Sequence, residues 1–306
     1  MGKELEERFD SFVRTNGLFA VNSVVFYQKD QILLERYYNG YTNQDTHEIN
    51  AIWKGILSLL TGIALDRHLL KSVEVPVCTY LEPYDRFEEE WHHLLKVKHL
   101  LTMTSGIFFK EGIDYDCKLL RFMLEKEDWV SYIASKPMLF VPGLKYHYKE
   151  WDVILLSALL QKAVKKPLFQ FCKEVLLDPL EIESEPWPES PLGISYPVYI
   201  YQDQAKLSAI DLAKIGELVL HQGVFRGKRI VSRGYLKEAF TPSFRNQWFG
   251  YLWHLYPYGY GLRGLGGQEM VVCPEKELVF VMQSSPTRIN SMYEYVLPFL
   301  IDLYQV

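Results

Sequence analysis

Residues 50–70, NAIWKGILSLLTGIALDRHLL, constrain the fold more than any other stretch of the chain. From Ile52 to Ala64 nearly every side chain is apolar or small, so the run predicts a helix over 51–66 that is buried rather than laid on a surface. One residue interrupts the pattern: Lys54, in the first turn. An unpaired ammonium inside a core is costly. Lys54 therefore either snorkels out at the helix N-terminus or has a partner and a task.

The rest of the composition can house such a helix. Of 306 residues, 48% are hydrophobic and 15% aromatic, enough for one large core or two coupled lobes. Thirty-three basic residues against thirty-eight acidic ones give a net charge of −5, and no cluster of Lys and Arg carries interleaved aromatics, which argues against a nucleic-acid partner. Cys78, Cys117, Cys172 and Cys273 are scattered without a CxxC pair. That spacing disfavours zinc and a disulfide framework and favours reduced thiols. The N-terminus, MGKELEERFDSF, has no apolar signal core, and Glu6 stands where myristoylation after Gly2 wants Ser or Thr. No apolar run is long and clean enough to span a bilayer. The expectation is a soluble, cytoplasmic protein without a membrane partner; the oligomeric state is left open.

Residues 3–15 have an amphipathic stripe of Leu5, Phe9, Phe12 and Val13, and predict a helix. Two strands follow around a turn at Gln28-Lys29-Asp30. The middle third reads as helices and loops: VKHLLTMTSGI as a short helix stopped by Gly106, CKLLRFMLEKEDWVSYIAS as one longer helix, then DVILLSALLQKAVKK, and PLFQFCKEVLL opened by Pro167. Residues 183–206 are irregular and proline-rich, a candidate crossing between lobes. SAIDLAKIGELVLHQG is helical with Gly223 as its stop, and strand-like pieces run from Trp248, with a turn at Pro274-Glu275-Lys276. INSMYEYVLPFLIDLYQ reads as a closing helix. The implied class is α+β: one antiparallel sheet of about five strands built from both termini, flanked by helices, plus a mostly helical lobe. The α/β lobe takes about 1–50 and 205–306, and the helical lobe about 51–204.

Ala51 and Lys54 lie one turn apart on one helix face. A serine at the first position would make S-x-x-K, in which a desolvated lysine takes the serine's proton. Around this pair, INAIWKGILSLLTGIALDRHLLKSVEVPVCTYL resembles the nucleophile helix of the serine β-lactamase superfamily. The resemblance is to the branch with class C β-lactamases, D-alanyl-D-alanine carboxypeptidases, esterases and 6-aminohexanoate-oligomer hydrolases. VKHLLTMTSGI resembles that branch's LLTMTSG block, and VPGLKYHYKEW with the helix after it resembles its Pro-Gly and Y-x-N block. SAIDLAKIGELVLHQGVFRGKRIVS and GYGLRGLGGQEMVVCPEKELVFVMQSS resemble its C-terminal blocks, in the same order from about residue 20 to the end.

The resemblance implies roles residue by residue. Ala51 stands at the nucleophile position, so the attacking hydroxyl is missing. Lys54 matches the proton-shuttling lysine and Tyr148 the Y-x-N tyrosine, which protonates the leaving group. Glu150 falls where the family has asparagine, and a carboxylate there would pair with Lys54 and keep it charged. Gly264, Leu265, Gly266 and Gly267 align with the K-T-G or H-x-G strand motif without its polar first residue. Substrate would run along that strand edge, and the N–H of residue 51 with one near Gly267 or Gln268 would form the oxyanion hole.

Other polar candidates are weaker. His47-Glu48 lacks the second histidine of HExxH, His92-His93 reads as an exposed pair, Ser105 as a turn residue, and Asp114 and Asp116 as loop carboxylates at the cleft mouth. The function implied is a serine hydrolase acting through an acyl-enzyme on an amide or ester, a small molecule or peptide, with no metal and no cofactor. Two accounts of Ala51 stand beside each other. In the first it disables such an enzyme, as the preserved blocks with Lys54 and Tyr148 suggest. In the second the chain is a natural non-catalytic relative that binds a peptide or small amide or regulates a partner, as Glu150 and Leu265 suggest.

Overall fold

A computed structural model describes residues 2–85, 90–110, 117–198 and 205–285; the expected closing helix and Asp114 and Asp116 lie outside them. A six-stranded antiparallel sheet runs in the order β2-β1-β10-β9-β8-β7. Its strands are β1 (Val21–Gln28), β2 (Gln31–Tyr37), β7 (His254–Tyr256), β8 (Gly259–Gly264), β9 (Gln268–Cys273) and β10 (Leu278–Ser284). Two short ribbons complete the strands, β3 (His47–Glu48) with β4 (Lys206–Leu207), and β5 (Val224–Phe225) with β6 (Lys228–Arg229). The six strands agree with the antiparallel sheet of about five that the sequence implied. Strand β7 takes only the last three residues of the strand-like run FGYLWHLY.

The helices are α1 (Gly2–Thr15), α2 (Ile52–Asp66), α3 (Glu90–Leu94), α4 (Val97–Leu101), α5 (Lys118–Leu124), α6 (Trp129–Ala134), α7 (Glu150–Val164), α8 (Leu168–Cys172), α9 (Ala209–Leu220) and α10 (Arg233–Ala239). Alternation along β1 assigns its two faces. Val24 and Phe26 join the cluster beneath α1 with Leu5, Phe9 and Val13, while Val25 and Tyr27 join the main core with α2 and α9. The β1–β2 turn puts Lys29 and Asp30 at φ 49° and 61°, the positive pair that a two-residue hairpin needs.

Two helices differ from expectation. The run 117–135 splits into α5 and α6 because Asp128 caps a new start, its carboxylate accepting from the Ser131 N–H at 2.9 Å. The helix of VKHLLTMTSGI ends at Leu101 rather than at Gly106, with Met103 at φ 55°.

Helix α2 runs through the middle of the main core, with every residue from Ile52 to Ala64 buried. Gly55 lets it lie directly on β8: a Cβ there would sit 2.3 Å from Leu262 Cδ2. This contact fixes the first turn of α2, and with it Ala51 and Lys54, beside the β8–β9 turn.

Candidate active site

The turn entering α2 is held from the sheet. Asn50 takes φ 52°, a conformation asparagine tolerates better than most residues, and its Nδ2 donates to the Leu265 carbonyl at 2.9 Å. Gly264 makes the approach possible, since a Cβ there would lie 2.3 Å from the Ile49 carbonyl oxygen. Ala51 follows in helical geometry at φ −66°, half-buried, offering a methyl group and no hydroxyl.

Lys54 is 3% exposed and does not snorkel. Its Nζ meets Glu150 Oε1 at 2.5 Å and lies 4.7 Å from the centroid of the Tyr148 ring. Tyr148 and Glu150 reach it from either side of Lys149, the residue that caps the N-terminus of α7. Lys149, at φ −159° and ψ 152°, is extended, so its neighbours project together while its own side chain turns inward to Asp152, 3.4 Å away. The His147 N–H donates to the Met103 carbonyl at 2.9 Å, which pins this segment to the block after α4.

Burial alone would push the Lys54 ammonium toward the neutral form. The charges of Glu150 and Tyr148, with hydrogen bonds to both, outweigh it and raise its pKa above the ordinary lysine value. The second oxygen of Glu150 accepts from the hydroxyl of Tyr196, which is 1% exposed. The half-buried carboxylate thus has a partner on each oxygen and compensates the buried ammonium.

Sequence reasoning missed Tyr196, because it lies in the irregular segment 183–206 that carries no periodic signal. It also missed a wall formed by Phe249 and His254. Phe249 stands edge-on to Tyr148 at 6.2 Å and to His254 at 5.4 Å. Burial and the positive charges of Arg263 and Lys54 push the His254 pKa down to about 4, so the imidazole beside Phe249 is neutral.

The glycine motif spans the end of β8 and the turn after it, and β7 pairs only with Gly259–Gly261, leaving Leu262–Gly264 without a ladder partner on that side among the described residues. Leu265, Gly266 and Gly267 form the turn between β8 and β9, with Gly266 at φ 82° and Gly267 at φ 79°. In the strand order β9 lies between β10 and β8, and the three-residue β7 borders only the first half of β8. The Gln268 side chain is 2% exposed and donates to the Ser284 carbonyl at 2.6 Å. Ser105 is buried, and its Oγ accepts from the Ile107 N–H at 3.3 Å, a local turn bond. His47, just ahead of the lysine helix in β3, pairs with Ser23 at 3.3 Å. A cavity of about 900 Å³ lined by Asn43, Lys173, Glu183, Lys206 and Lys214 involves none of the lysine constellation.

The comparisons with known proteins agree with this frame. The beta-lactamase family model matches residues 7–294. The chain belongs to the beta-lactamase family. Solved structures with the same fold include a penicillin-binding protein from Bacillus halodurans, 14% identical, with a TM-score of 0.74 over 96% of this chain and 99% of that one. An octameric penicillin-binding protein homologue from Pyrococcus abyssi is 17% identical, with a TM-score of 0.73 over 98% and 77% of the two chains. EstCE1, a hydrolase with promiscuous acyltransferase activity, is 14% identical, with a TM-score of 0.75 over 99% of each. No curated protein matches the sequence. Among the described residues no helix is long and apolar enough to cross a membrane.

Proposed function

We propose that this beta-lactamase-family chain, as it stands, binds an amide, ester or short peptide in the Lys54–Tyr148 cleft and does not form an acyl-enzyme. The observation that carries the reading is the Lys54–Glu150 pair at 2.5 Å, with Tyr196 on the second carboxylate oxygen. A lysine that serves as base must give up its proton near neutral pH, and this one is held as an ammonium. Ala51 removes the nucleophile, and Glu150 opposes the base that would have activated it. Tyr196 complements Glu150, which supports a site adapted around the carboxylate rather than one altered at a single position. Bound ligand would meet the phenol of Tyr148 and the half-buried methyl of Ala51. A reducing, cytoplasmic setting is part of the proposal, supported by four free cysteines.

The second reading, an amide or ester hydrolase lacking only its serine, is favoured by Tyr148 lying against Lys54. Installing the serine separates the two. Ala51→Ser, exposed to a fluorescent penicillin and to a p-nitrophenyl ester, should stay unlabelled, whereas Ala51→Ser with Glu150→Asn should acquire a covalent adduct. Labelling of the single variant at the rate of the double one would replace the binding reading with the hydrolase reading.

A further inference from the structure

The stretch between α2 and α4 makes an excursion whose ends are closed. Pro76 bridges Lys96, and the Val77 N–H donates to the Leu95 carbonyl at 2.8 Å. Inside it are one-turn helices at Val77–Thr79 and Glu82–Asp85 and the five-residue α3, each too short to hold itself in water. Leu81, Tyr84, His92 and Leu95 fill its inner side, with the rings of Tyr84 and His92 5.8 Å apart. On its outer side each of the three short helices supplies one metal-ligating side chain: Cys78, Asp85 and His93. Their thiol, carboxylate and imidazole donors all lie within 4.8 Å of one another.

We propose that Cys78, Asp85 and His93 form a zinc site that clips these three short helices together. The donor set selects the ion. A sulfur and an imidazole nitrogen with one oxygen suit Zn²⁺ and disfavour Ca²⁺ and Mg²⁺, which take oxygen alone. Tetrahedral bonds of about 2.0–2.3 Å place donors roughly 3.3–3.7 Å apart. The remaining closure falls to side-chain rotation of Asp85 and His93, both exposed. Water would take the fourth position. Cys78 is also the right cysteine: it is half-buried, whereas Cys117, Cys172 and Cys273 are buried. The absence of a CxxC pair bears only on ligands adjacent in sequence, and here the fold gathers one donor from each of three elements. This site is independent of the reading given to the Lys54 cleft.

The full-length chain, stripped with a chelator, is titrated with Co²⁺ as the spectroscopic stand-in and with Zn²⁺ by calorimetry. The expected result is one equivalent bound, with a thiolate-to-cobalt charge-transfer band that Cys78→Ser abolishes. His93→Ala and Asp85→Asn, both at exposed positions, should weaken Zn²⁺ binding at least about ten-fold each, the smallest loss expected when a ligand is removed. Near-UV circular dichroism checks that all three variants are folded. The proposal is overturned by the absence of a charge-transfer band at one equivalent, or by its survival in Cys78→Ser. It is equally overturned if His93→Ala and Asp85→Asn bind Zn²⁺ as tightly as the parent, which would mean a lone thiol.

Discussion

Replacing Glu150 with glutamine keeps the shape of the side chain and removes its charge, leaving the Lys54 ammonium with Tyr148 alone. Breaking a buried ion pair from one side costs about 3–5 kcal/mol, because the other charge stays behind. Lys54 is 3% exposed, so its half of that penalty is nearly complete, while the 22% exposure of the Glu150 side chain lets solvent relieve part of the rest. A loss of about 2–3 kcal/mol at pH 7 follows from this. For a chain of 306 residues it corresponds to a fall in melting temperature of about 4 °C.

The pH dependence gives a second, sharper signature. In the parent the Lys54 pKa is raised, so the pair's contribution is complete below the ordinary lysine value of 10.5 and fades only as pH climbs through the folded value. In Glu150→Gln burial is no longer outweighed by the carboxylate, and the folded pKa falls below the ordinary one. The unfolded chain then binds the extra proton, so the variant gains stability as pH rises toward 10.5. Thermal and urea melts at pH 7 and pH 10 should therefore show a gap that narrows at the higher pH. Variant and parent melting within about 1 °C of each other at pH 7, where a surface change would leave them, would refute the pairing argument.

Three other outcomes are expected. Burial pushes the His47, His99 and His254 pKa values down to about 4, so each keeps its neutral form in the fold and destabilises it as pH drops from 6.5 toward 4. Each contributes at most about 3 kcal/mol, which urea melts between pH 7 and 4.5 would register and which replacing one of them with glutamine would reduce. Gly264→Ala should cost about 2–3 kcal/mol, because the new methyl lies 2.3 Å from a backbone oxygen that cannot rotate away, and amide exchange at Asn50 and Leu265 should quicken with it. Asn50→Ala should cost about 1–2 kcal/mol through the lost bond to the Leu265 carbonyl at 2.9 Å and the positive φ, measurable by the same melts.

Much of the frame was legible in residue order because it rests on local signals. The stripe of Leu5, Phe9 and Val13 set α1, the Lys29-Asp30 pair set the first hairpin, and the unbroken apolar run set α2 as the central helix. Ser208 opens α9 with a capping box closed by Asp211, the kind of N-terminal signal that sequence displays well. The site was legible only in part. Ala51, Lys54 and Tyr148 stand out by spacing and resemblance, and Glu150 stands out as the residue that departs from the pattern. That Glu150 would have a second partner was hidden, because Tyr196 comes 46 residues later from a segment without periodicity. The wall of Phe249 and His254 was hidden too: their run reads as strand-like, but nothing in it marks Tyr148 as the side chain that Phe249 packs against. Gly264, Gly266 and Gly267 were recognised as places where side chains would obstruct, but residue type alone did not show that 264 ends β8 while 266 and 267 form a turn with positive φ.

The claim beneath the whole account is that Lys54 is a paired ammonium rather than a neutral base. Its own titration tests this most directly: selective ¹³C labelling of lysine, with the Lys54 Cε resonance assigned by its loss in Lys54→Met and followed across pH. The account predicts a lysine still protonated at 10.5, the value at which an ordinary one is half neutral. A Lys54 signal that titrates near or below neutral pH would contradict it.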